Sequence, residues 1–155
     1  MTTPATASYV SLLGMRLGQG AHGQMVHRRK GTIVDITSPA IEAEIDVAAE
    51  ISNVRKITVQ LHGAGTDALT DAVAVDVLVL NGAGTAFATT GGSTGIEIDN
   101  VGAVLGVVAK KMFVGLTDDT GKLTLKWTDT GTESVSLGIR LPNGVVVRSA
   151  AFANT

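Results

Sequence analysis

TGKLTLKWTDTGTESVSLGIRLPNGVVVRS, residues 120–149, decides the fold. Leu123, Leu125 and Trp127 alternate with Lys122, Thr124 and Lys126. After a polar turn, Val135, Leu137, Ile139 and Leu141 alternate with Ser134, Ser136, Gly138 and Arg140. Period-two alternation is the signature of a half-buried strand. Asn143-Gly144 then supplies the strongest short-range hairpin signal. Two strands and a turn are therefore written here, with the apolar set expected inward.

The rest of the chain repeats this style. Arg55–Leu61 reads as a strand with Ile57, Val59 and Leu61 inward, and Val73–Leu80 as another. Across Ile41–Ile51, Ile41, Ala43, Ile45, Val47 and Ala49 oppose Glu42, Glu44, Asp46 and Glu50. That pattern fits a strand with acids outside; helix is the rival, because Ala and Glu favour it. Thr32–Ile36, Ile96–Ile98, Val104–Val108, Lys110–Leu116 and Val145–Phe152 complete the set. The Gly-, Ala- and Thr-rich stretch Asn81–Gly95 reads as a long flexible loop. Short strands separated by turn signals predict an all-β fold, an immunoglobulin-like or related antiparallel β-sandwich.

The chain contains an internal echo. ITVQLHGAGT at 57–66 and LTLKWTDTGT at 123–132 share a pattern, and VDVLVLNG at 75–82 matches LGIRLPNG at 137–144. The offsets are 66 and 62 residues; two similar hairpins packed as a sandwich would explain the echo, as would convergence on generic β-hairpin chemistry.

Composition narrows the chemistry. The chain has 155 residues, 19 glycines, no cysteine and only five aromatic residues, so an aliphatic core is expected. Lack of cysteine removes disulfides, thiolate nucleophiles and Cys-based zinc sites. Scarcity of aromatics disfavours stacking platforms for single-stranded nucleic acid or sugars. MTTPATASYV does not read as a secretion signal. No apolar run approaches the length of a membrane span; the longest, Ala72 to Leu80, is broken by Asp76.

Charge divides the chain. Residues 1–34 hold Arg16, Arg28, Arg29 and Lys30 and no acid, a net +4. Residues 35–155 hold 8 basic and 14 acidic residues, a net −6. Residues 1–31 carry five glycines and little periodicity, and read as an extended N-terminal arm with a short helix near Ser8–Leu13. The β-sandwich domain is expected over 32–155. Apolar and cationic residues make the arm the expected partner-binding element: Tyr9, Leu12, Leu13, Met15, Arg16, Leu17, Met25, Arg28, Arg29 and Lys30.

Reactive constellations are sparse. His22, His27 and His62 would make a three-ligand metal site only if the fold converged them, and their spacing fixes no geometry. Asp118-Asp119 lacks the further acids of a calcium loop and reads as a hairpin turn. Asp67 and Asp71 read as loop-capping residues. GGSTG at 91–95 has no strand-to-helix elbow, and no phosphate loop occurs. Catalysis needs convergent polar groups. The expectation is no enzyme, no cofactor and no metal.

From Arg55 to Phe152, with TDDTGKLTLKWTDTG followed by LGIRLPNGVVVRSAAFA, the chain resembles small β-sandwich structural proteins of tailed phages, most of all capsid decoration, or cement, proteins. The resemblance implies a β domain with an N-terminal arm. It also implies binding to a major capsid or other virion protein, a homo-oligomer, and a place on the capsid surface. It implies no catalytic residue; the lack of a long apolar run argues against a membrane, and four cations without interleaved aromatics are a weak signal for nucleic acid. The alternatives are a tail, head–tail joining or fibre-base component, and a carbohydrate-binding or adhesin sandwich.

Overall fold

The computed structural model describes residues 10–12, 15–19, 25–29, 32–36, 40, 42–63, 69 and 71–155, the first four segments by backbone and strand pairing. The chain divides into two compact units, Met1–Pro39 and Ala40–Thr155. Among the described residues every regular element is a β-strand, and no helix is long and apolar enough to cross a membrane.

The first unit holds four short strands. Strands β1 (Val10–Leu12), β2 (Met15–Gln19), β3 (Met25–Arg29) and β4 (Thr32–Ile36) pair in chain order as an antiparallel meander. A strand stands where a short helix was expected near Ser8–Leu13. Thr32–Ile36 pairs with Met25–Arg29, so the division between units falls at Pro39/Ala40 rather than at residue 31/32. The physical reason is glycine: Gly14, Gly18, Gly20, Gly23 and Gly31 lie within, between or just after β1, β2 and β3 in sequence and hide any alternation.

The second unit is a two-sheet sandwich. One sheet has the order β5 (Glu42–Val47), β6 (Val54–His62), β11 (Lys122–Thr128), β8 (Gly95–Ile98). The other has the order β13 (Val146–Arg148), β12 (Val135–Arg140), β7 (Ala74–Asn81), β10 (Met112–Leu116), β9 (Ala103–Val108). Every pairing is antiparallel.

The core lies between the sheets. Ile57, Val59, Leu61, Leu123, Leu125 and Trp127 come from one sheet, and Val75, Val77, Val79, Val135, Leu137 and Ile139 from the other. The seven residues expected inward from residues 120–149, including Leu141, are at most 2% exposed. The strand reading of the acidic stretch also holds for Glu42–Val47, whose acids are exposed while Ala43, Ile45 and Val47 pack on the core.

The echo marks an internal pseudo-two-fold. Thr58 pairs with Thr124, its equivalent 66 residues on, with Ile57 opposite Leu125 and Val59 opposite Leu123. Across the core, Val77 pairs with Ile139, its equivalent 62 residues on, with Val79 opposite Leu137. Each echoed segment pair gives one strand to each sheet, so that β6 and β11 are neighbours in one and β7 and β12 in the other.

Trp127 locks the sandwich to the stretch expected as a flexible loop. Its ring packs edge-on to Phe152 at 5.3 Å and its Nε1 donates to the Gly91 carbonyl at 3.2 Å. Gly92, at φ +86°, lies so close that a Cβ would come within 2.5 Å of that nitrogen. The polar composition of 81–95 hid this anchoring. Only Val146–Arg148 forms the last strand, shorter than the expected Val145–Phe152, because the chain leaves the sheet at Ser149 and regains it at a Val135–Phe152 bridge. Asn154 then donates to the carbonyls of Asn53 (2.7 Å) and Asp129 (2.8 Å), tying the final residues across the four-stranded sheet.

Candidate functional site

Polar groups of the second unit are largely spent on holding turns. The Asp118 carboxylate accepts from the Lys122 amide (2.8 Å), the Thr120 hydroxyl (2.7 Å) and the Thr120 amide (3.0 Å). The Lys122 amide and Thr120 hydroxyl hold its pKa below the ordinary carboxylate value. This is turn chemistry, as the sequence suggested.

Glu133 plays a similar part for the 89–91 loop. Its carboxylate accepts from the amides of Thr89, Thr90 and Gly91 and from the Thr90 hydroxyl. Partial desolvation pushes this group up, but the four donors outweigh it and hold its pKa low. Asp129 is 5% exposed and accepts from Ser93 Oγ at 3.3 Å, while its Oδ2 has no partner.

The residues proposed from sequence separate as follows. His27 lies on β3 and His62 at the end of β6, in different units; His22 lies outside the described residues. No cluster of three metal-ligating side chains occurs among the described residues. Of the expected partner-binding set, Leu12 is on β1, Met15, Arg16 and Leu17 on β2, and Met25, Arg28 and Arg29 on β3. The register places Arg16 opposite Arg28. Tyr9, Leu13 and Lys30 lie outside the described residues, as does Asp67; Asp71 is exposed. The division of charge persists: Met1–Pro39 carries four cations and one acid, and Ala40–Thr155 eight cations and thirteen acids.

The sandwich's two outer faces differ in kind. On the four-stranded sheet, β5, β6, β11 and β8 turn outward Glu42, Glu44, Asp46, Lys56, Thr58, Gln60, Lys122, Lys126 and Glu97. Ion pairs Lys56–Asp99 (3.1 Å) and Lys126–Glu97 (3.6 Å) lie along it.

The five-stranded sheet turns outward mostly apolar side chains. One row across it reads Leu105, Val114, Asp76, Arg140, Val146, and the next Val108, Met112, Leu78, Gly138, Arg148. Leu80 with Phe87 and Leu116 with Ala74 flank these rows. Leu105 is 70% exposed, and Phe87, Val108, Leu116 and Val146 are 44–46% exposed. Among the described residues, five of the eight exposed large hydrophobic residues thus share one face, and a sixth, Val107, sits on its edge strand. Asp76 and Arg140 neutralise each other in the middle, the arginine donating to Asp76 Oδ2 through Nε at 2.7 Å and through a second nitrogen. Beside that pair opens a shallow depression lined by Ala74, Asp76, Val114, Arg140, Leu141 and Gly144.

Sequence reading missed this surface, though its signal was present. AVDVLVLN and AVLGVV are apolar at both parities, unlike the alternating strands of the other sheet. A strand apolar on both sides has something to cover on each. No family model, curated protein or solved structure matches the chain.

Proposed function

We propose that the chain is a virion structural protein, a capsid decoration or cement protein that binds and stabilises a phage head. The outer face of the five-stranded sheet carries this reading. A large contiguous apolar surface on a small domain marks an interaction site, and an assembly part works through such a surface. The cationic N-terminal unit supports it, since +3 on Met1–Pro39 suits an acidic shell as it would suit the −5 of Ala40–Thr155. In this reading the N-terminal unit holds the particle and the sandwich forms the outward body. A place in the tail, at the head–tail joint or at a fibre base uses the same surfaces.

Deleting residues 1–39 tests the assignment, with folding and particle binding measured separately. The shortened chain is expected to melt cooperatively and to lose its particle. Apolar residues of the N-terminal unit outweigh exposed ion pairs of roughly 0–1 kcal/mol each. Binding by the full chain should therefore weaken little between low and high salt. A shortened chain that binds its particle as tightly as the parent would overturn the assignment.

A further inference from the structure

The outer face of the five-stranded sheet exposes Leu105, Val108, Leu116 and Val146, and its own features say what fits. We infer that a second copy of this chain packs face to face on it, making an isologous dimer of sandwich bodies. The inference rests on reading the chain as an assembly part and names the partner of that surface.

Area is the first argument. Five strands about 4.8 Å apart, with about five residues rising 3.3 Å each, give a face on the order of 400 Å². With side-chain relief, two copies bury about 1,000 Å² in total, the lower bound for a specific interface and the size of a weak, reversible one.

Electrostatics is the second. The body carries a net charge of −5, so two copies repel wherever like charges meet. On this face, though, Asp76 already lies against Arg140, and the pair's neighbours in both rows are mostly apolar. Covering it leaves that acid paired. The four-stranded sheet is the opposite case: its outward face carries Glu42, Glu44, Asp46, Lys56, Lys122 and Lys126, charges that covering would desolvate.

Shape is the third. Leu105 stands 70% exposed on the edge strand, and the depression lined by Val114, Asp76 and Arg140 spans the strands next to it. A two-fold axis between them places each copy's Leu105 toward the other's depression. A knob and a hollow on one face are what an isologous contact requires.

The test is sedimentation of the isolated full chain, without any particle, at micromolar concentrations. Wild type is expected to sediment at twice the chain mass. Leu105→Glu and Val146→Lys, both at exposed positions, should each shift it to the monomer with an unchanged far-ultraviolet spectrum. If either variant misfolds, Leu105→Ser gives the same reading with a smaller perturbation. As a control on the opposite sheet, Lys126→Glu should leave the dimer intact. A monomeric wild type, or an oligomer that survives Leu105→Glu and Leu105→Ser, would overturn the inference. Because no particle is present, this result is independent of particle binding. A monomeric Leu105→Glu chain that still binds its particle leaves the proposed function standing.

Discussion

Trp127 shows how one residue joins sheet, loop and C-terminus. The ring is fully buried, its nitrogen is satisfied by Gly91, and it packs T-shaped against Phe152. Arg55 lies 6.0 Å from the same Phe152 ring and donates to the Ala153 carbonyl and to Asn154 Oδ1. Trp127→Ala should therefore cost about 3–5 kcal/mol in denaturant unfolding. A loss below about 1 kcal/mol would mean that the ring does not anchor the core, since even a lost methylene or two costs that much. Its inward placement was legible in residues 122–127 from alternation alone. Its bond to Gly91 was not, because the two lie 36 residues apart and no local pattern records such a contact.

At the scale of elements, alternation identified what it could identify. β5, β6, β11 and β12 were legible because each has an apolar side facing the core and a different composition on the other. Of the N-terminal meander only β4 was legible; β1, β2 and β3 were not, because the glycines within and between them hide any alternation. The 81–95 stretch was misread as flexible because the restraint sits far away in sequence, on Glu133. That restraint makes a pH prediction. Glu133 has a lowered pKa in the folded chain, so the loop tether is fully present above the ordinary carboxylate value of about 4.3. It is lost as pH falls through the lower folded value. Amide resonances of Thr89, Thr90 and Gly91 should titrate together below about pH 4.3, and Glu133→Gln should speed their hydrogen exchange at neutral pH. A common midpoint above the ordinary carboxylate value, or exchange unchanged by Glu133→Gln, would contradict the tether.

For the whole molecule, the internal two-fold explains why the chain can devote both sheet centres to core. β6 with β11 and β7 with β12 supply the aliphatic layers from two similar halves. What differs between the sheets is the outside: one charged, the other apolar around a single neutralised pair. The candidate surface was thus half legible. The apolar character of 74–80 and 103–108 stood in the sequence, but only the register brings Leu105, Val114 and Val146 into one row. Cryo-electron microscopy of gradient-purified particles from the lysate that yields this chain tests the central claim most directly. The account predicts a two-sheet body repeated over the head surface, attached through its N-terminal unit. Particles that lack this density, with the chain found only in the particle-free fraction, would contradict it.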